Sequence, residues 1–201
     1  LNGIDAEGWD PGSDPHLAAH YDADSVGQGK PPCKAALQKE LGLPPRSEVP
    51  LAGLIGRLCD QKGFDLVAEV MAQWAQETDF QWAILGTGEP KYHRLFQSLA
   101  ERFRHRVAVR LEFSSPLAHR IEAGADMFLM PSRYEPCGLN QLYSLRYGTV
   151  PIVRSTGGLA DTMTDYDEAG GRTEANGFAF EHYGKDALLD AVHQALRLYR
   201  D

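Results

Sequence analysis

Apolar residues recur along the chain in two rhythms: short unbroken runs, and longer stretches in which they return every three or four positions. The runs at 49–55 (VPLAGLI), 80–85 (FQWAIL), 107–112 (VAVRLE), 126–130 (DMFLM) and 150–153 (VPIV) predict buried strands. GFAF at 177–180 predicts a last edge strand. Helical spacing predicts a short helix from about Pro32 to Gly42, and another in which Val67, Val70, Met71 and Trp74 share a face. Tyr92, Leu95, Phe96 and Leu99 mark a third helix, and PLAHRIEAG a fourth. GLNQLYSLRYG reads as a helix stopped at Gly148, with a short helix beginning near Gly158. The final helix carries Leu188, Val192, Leu196 and Tyr199 on one face. Residues 1–31 are rich in Gly, Pro, Asp and Asn and predict an irregular linker, with Trp9 and Tyr21 as anchors. The remainder, 32–201, reads as one domain.

Strands and helices alternate, which predicts an α/β fold: a Rossmann-like, mostly parallel sheet with helices on both faces. Ligands of such sheets sit where strands end and loops lead into helices. Four loops qualify: 56–63, 86–90, 131–138 and 154–158. Two of them, PSRYEPCG and RSTGG, are glycine turns that each open a helix. A helix start offers free N–H groups and the positive end of a dipole, and glycine lets an anion approach. Two such turns on neighbouring strands predict a phosphate cradle, to which Arg57 and Lys62 add two positive charges. A diphosphate is the expected ligand. GTGEPK begins like a dinucleotide fingerprint, but Lys91 stands where the third glycine belongs. No Walker loop, zinc spacing or nucleophile elbow is present.

Composition narrows the class. The chain has 201 residues, 43% apolar and 24% charged, as in ordinary globular domains. A formal charge of −8 argues against general nucleic-acid or anionic-membrane partners, so an anionic ligand needs a local basic site. No apolar run reaches the roughly 18 residues of a membrane helix. Cys33, Cys59 and Cys137 show no metal or redox pairing, which fits a reducing compartment. No signal peptide is visible, and the opening on Leu1 predicts a segment of a longer protein.

The segment PSRYEPCGLNQLYSLRYGTVPIVRSTGGLADT closely resembles the bacterial glycogen synthase and plant starch synthase family. IGRLCDQKGFDL and the opening LNGIDAEGWDP are similar to the same family, in the same order, so the resemblance covers essentially the whole chain. It implies the C-terminal domain of a two-domain GT-B glycosyltransferase. Such enzymes move glucose from ADP-glucose, or UDP-glucose in some members, to the non-reducing 4-OH of an α-1,4-glucan. The α configuration is retained, and neither metal nor covalent cofactor is implied. The implied partners are ADP-glucose or ADP and, through an N-terminal acceptor domain that nothing in these residues matches, the glucan. The implied location is the bacterial cytoplasm or a plastid stroma.

The resemblance also implies roles. Arg57 and Lys62 match the basic pair that holds the diphosphate and stabilises the leaving group. Glu135 matches the acid expected at the donor glucose, where its charge favours a positive anomeric carbon. Gly138 and Leu139 match donors of backbone N–H to phosphate, with Cys137 beside them. Thr156, Gly157 and Gly158 match the second turn, which closes on the donor. Phe113 falls where the family places an aromatic, often tyrosine, against adenine, so only stacking carries over. The second glutamate of many GT-B enzymes, eight residues after the first, is Tyr143 here.

Plainer readings stand beside these. Phe113 is alternatively a core residue. His119 reads as structural, and Cys137 as a small packing residue, with a reactive thiol as its alternative. Tyr143 and Tyr147 read as core or groove wall, Trp74 and Trp82 as core, and Arg133 and Arg154 as partners of nearby acids. Two further functions stay open: a catalytically silent nucleotide- or glucan-binding domain, and an NAD-type oxidoreductase domain, which the missing glycine disfavours. The isolated chain is expected to fold without elongating glucan.

Overall fold

Five-residue runs such as Gln81–Leu85 are buried along their whole length, as strands covered on both faces must be. The computed structural model describes residues 3–166 and 174–200; Leu1 and Asn2 of the opening motif lie outside them. Strands β1 (Leu51–Ile55), β2 (Gln81–Leu85), β3 (Val107–Arg110), β4 (Met127–Met130), β5 (Val150–Arg154) and β6 (Phe178–Phe180) form one parallel sheet in the order β3-β2-β1-β4-β5-β6. Ala52 stands opposite Trp82 on one side and Met127 on the other.

Seven described helices cover the sheet: α1 (Val26–Leu41), α2 (Phe64–Glu77), α3 (Pro90–Arg102), α4 (Ser115–Gly124), α5 (Asn140–Arg146), α6 (Gly158–Thr162) and α7 (Lys185–Arg200). On one face α2, α3 and α7 bury Val70, Met71, Trp74, Phe96, Val192 and Leu196 against Trp82 and Ile84. Trp74 and Trp82 are core, as expected, and truncating either to alanine would cost about 3–5 kcal/mol. On the other face α1 and α4 place Leu37, Leu41 and Ile121 against Leu51 and Phe128. No described helix is long and apolar enough to cross a membrane.

One predicted boundary is wrong. Helix α1 starts at Val26, not at Pro32. The Asp22 carboxylate accepts from the N–H groups of Asp24 and Ser25, and Ser25 carbonyl takes the first helical bonds. Pro31 and Pro32 therefore fall in the second turn. A proline pair reads as a helix start because it usually is one; the Asx turn upstream overrides it.

Before α1 the chain runs as a strap of turns over α4 and α5. Tyr21 is buried and donates its hydroxyl to the Tyr147 carbonyl at 2.9 Å. Asp14 is 2% exposed, with its carboxylate 2.6 Å from the Tyr147 hydroxyl and 2.7 Å from His119 Nδ1.

Candidate active site

Successive strands step outward from β1 to β2 and β3 on one side, and from β4 to β5 and β6 on the other. The sheet thus changes direction between β1 and β4, and a crevice opens beyond their carboxyl ends. The loop after β1 carries Arg57 and Lys62; the loop after β4 carries Glu135.

Lys62 Nζ lies 2.5 Å from Glu135 Oε2, and Ser132 Oγ stands 3.3 Å from the same oxygen. Glu135 is 6% exposed, and Lys62 is half-buried. Gly63 makes the approach possible. Its φ is +77°, and a Cβ there would sit 2.1 Å from the Pro131 carbonyl oxygen. Any other residue would push the two loops apart and separate lysine from glutamate.

The loop of Glu135 is braced on both sides. Arg133 N–H donates to the Gln61 carbonyl at 2.9 Å, and Arg154 Nη1 donates to the carbonyls of Ser132 and Arg133 at 3.3 and 2.8 Å. Arg133 pairs with Asp65 at 2.5 Å, as expected. Among the described residues Arg154 pairs with no acid: it donates to carbonyl groups, including that of Glu181. Burial works against the Asp65 carboxylate, but hydrogen bonds from Tyr183 and Arg133 outweigh it and hold the group below its usual range.

The two glycine turns lean on each other. Gly157 has φ +51°, and a Cβ on it would come within 2.2 Å of the Glu135 carbonyl oxygen. Gly158 is buried and donates its N–H to that oxygen at 2.9 Å. The glycines of the second turn therefore serve first as a footing for the Glu135 loop, and Gly158 lies beneath the turn rather than on its surface. Thr156 is half-buried and Gly157 exposed.

Arg57 lines three cavities, two of which also reach Asn140 at the start of α5. The first, about 250 Å3, is lined by Arg57, Lys62, Ser132, Glu135, Gly138 and Leu139. The second, about 540 Å3, is lined by Trp9, Arg57, Phe113, Ala118, Glu122 and Tyr143 among others. Asn140 borders both and donates to the Ile55 carbonyl at 3.0 Å, fixing the start of α5 against the end of β1. Cys137, an exposed free thiol, lies outside both cavities, as do Thr156, Gly157 and Gly158. Phe113 is 92% exposed, which removes the core reading. The GTG stretch lines the second cavity and pairs with the loop after β1, Leu58 N–H donating to the Thr87 carbonyl at 3.0 Å.

Sequence reasoning overlooked Trp9 as a cavity wall, together with Asn140, Ser132 and Glu122. Glu122 is fully buried; desolvation pushes its carboxyl up to about 8, against a 2.6 Å hydrogen bond from Ser144. His119 is buried and structural, as expected. Among the described residues no group of three or more His, Cys, Asp or Glu is placed to hold a metal ion.

Comparison with known proteins decides the family. A profile of the glycosyl transferases group 1 matches residues 39–200. The chain belongs to the group 1 glycosyl transferases. Among them it is 55% identical, over its whole length, to a glycogen synthase of Anaeromyxobacter dehalogenans (strain 2CP-C), and 50% identical to one of Kosmotoga olearia. It spans 41% of the length of each of these group 1 enzymes. The solved catalytic domain of starch synthase IV from Arabidopsis thaliana, bound to ADP and acarbose, superposes with a TM-score of 0.93 at 38% identity. That match covers 100% of this chain and 41% of the other. The Rossmann-like sheet expected from the alternation of strands and helices is thus the group 1 transferase fold.

Proposed function

We propose that the chain is the donor-binding domain of an ADP-glucose-dependent glucosyltransferase that extends α-1,4-glucan. The observation that carries this reading is the convergence of Arg57, Lys62 and Glu135 on one cavity at the sheet's switch point, beside a larger apolar cavity. Likeness over the full chain to glycogen synthases, and to a starch synthase held with ADP and acarbose, supports it.

In this reading the base of ADP occupies the apolar cavity against Phe113, and the diphosphate lies across Arg57 and Lys62. Glucose reaches Glu135, with Gly138 and Leu139 offering N–H groups ahead of α5. The bond between the anomeric carbon and the distal phosphate oxygen breaks, its electron pair leaving with ADP. The acceptor 4-OH oxygen bonds to that carbon and passes its proton to the departing phosphate oxygen. Charge grows on the departing diphosphate, where fixed cations act most strongly. Glu135 faces the carbon as it becomes positive. Lys62 and Glu135 pair with each other before donor arrives, so the donor's phosphate takes the place of Glu135 on Lys62 and the freed carboxylate turns to the sugar hydroxyls. Thr156 and Gly157 close the turn over the donor, and Cys137 packs beside it.

The boundary between the strap and the nucleotide-sugar domain, and an acceptor domain on another part of the enzyme, belong to the same proposal. Glucose transfer from ADP-glucose to glycogen by a full-length enzyme carrying this sequence tests it, alongside the 201-residue chain alone. The full-length enzyme is expected to transfer and the chain alone to bind ADP without transferring. A full-length enzyme that transfers no hexose rejects the reading, and elongation by the chain alone rejects the division of labour.

A further inference from the structure

Trp9 comes from the strap, far in sequence from every motif of the site, yet it lines the same cavity as Phe113. Its indole is stacked on both faces. The His119 ring lies 3.7 Å away at an interplanar angle of 13°, and the Tyr143 ring 3.8 Å away at 14°. Neither face is free for a ligand, so Trp9 meets the cavity edge-on. Tyr143 lines the cavity with it.

The partners of Trp9 are themselves held. His119 Nδ1 is 2.7 Å from Asp14 Oδ2 and 3.3 Å from the Tyr147 hydroxyl. Asp14 Oδ1 accepts from the His16 N–H at 2.9 Å, which ties the carboxylate into the strap's own turn. Asp14 borders none of the cavities around Arg57. A buried carboxylate with hydrogen bonds on both oxygens is a costly group to leave without them, so the cluster forms as a unit.

We propose that Trp9 is a wall of the nucleobase site and that the Asp14–His119–Tyr147 cluster is the latch that holds it there. Base affinity is then coupled to docking of the strap, while the phosphate groups, bound across Arg57 and Lys62, are indifferent to it. Trp9 is a binding residue; Asp14, which acts through His119, is a positioning residue. This rests on the reading of the apolar cavity as a base site.

The chain has three tryptophans, and Trp74 and Trp82 are in the core. A change in tryptophan emission on nucleotide binding therefore reports Trp9. The test is titration of the 201-residue chain with ADP and with pyrophosphate, by calorimetry and by fluorescence. Trp9→Ala is expected to weaken ADP about tenfold and to leave pyrophosphate within twofold. Trp9→Phe, which keeps an aromatic ring in the sandwich, is expected to abolish the emission change and to bind ADP more tightly than Trp9→Ala. Asp14→Ala is expected to weaken ADP with pyrophosphate unchanged, and Asp14→Asn to restore most of the loss. If Trp9→Ala does not fold, the emission change in wild type and its loss in Trp9→Phe decide. ADP binding by wild type with no emission change, or equal ADP affinity in wild type and the Trp9 variants, overturns the proposal and leaves the functional reading intact. A wild-type chain that binds pyrophosphate but no nucleoside diphosphate overturns both.

Discussion

The charged and apolar cavities share Ile55, Gly56, Arg57 and Asn140 but are assembled differently. The charged one comes from two loops at the ends of adjacent strands, each loop a single continuous motif. The apolar one draws on the strap, the loops after three strands and one face of α4 and α5. The first is built from ion pairs and carbonyl hydrogen bonds, the second from stacked rings. On the proposed reading the two have separable duties: the charged half meets groups whose charge changes in the reaction, and the apolar half selects what is carried.

The largest expected effect separates these duties by rate. In a full-length enzyme, Lys62→Ala should lower kcat by about 10²- to 10³-fold, as loss of an oxyanion donor does, and raise KM far less. Steady-state kinetics with ADP-glucose checks this, and an unchanged kcat would place Lys62 outside the chemistry. A smaller effect falls on affinity. Phe113→Ala should weaken ADP at least tenfold, in line with about 1–3 kcal/mol for stacking on a base, and narrow the preference for ADP over UDP. Calorimetry with both nucleotides measures it, and equal ADP affinity in the two proteins would break the contrast.

The brace gives a third, weaker handle. Arg154→Ala removes donors from the Ser132 and Arg133 carbonyls and should lower kcat roughly fivefold, the equivalent of about 1 kcal/mol. ADP affinity should hold, because Arg154 does not line the apolar cavity. A loss confined to ADP binding would show the two halves to be coupled.

The smallest effect concerns stability. Glu122 borders the apolar cavity with its carboxyl raised to about 8. The folded protein keeps a proton there that the unfolded chain releases in the ordinary carboxylate range. Stability therefore falls as pH climbs from that range to about 8. Lys30, lowered to about 8 by burial, acts only above this window. Glu122→Gln should raise Tm relative to wild type by a margin of several degrees that widens between pH 5 and pH 8. A margin independent of pH would show that Glu122 is ionised throughout.

The same contrast explains what could be read from the sequence. The sheet was legible because its strands are unbroken apolar runs and its helices keep a 3.6-residue rhythm. The charged half was legible because Arg57, Lys62 and Glu135 sit inside motifs that follow strands. What those motifs do to each other was not: the glycines of RSTGG support the Glu135 loop because two backbones touch, a contact without a local signature. Trp9 was read only as an anchor, since a tryptophan among Gly, Asp and Pro carries no period to say which face it joins. Helix α1 was misplaced by its prolines for the same reason, the deciding turn lying outside the periodic segment.

The central claim is that phosphate and base are held by separate halves of one site. Binding of ADP and of pyrophosphate to the wild-type chain, Lys62→Ala and Phe113→Ala measures it most directly. The account predicts that Lys62→Ala weakens both ligands, while Phe113→Ala weakens ADP and leaves pyrophosphate unchanged. If Phe113→Ala lowers both equally, or Lys62→Ala lowers neither, the division into two halves is contradicted.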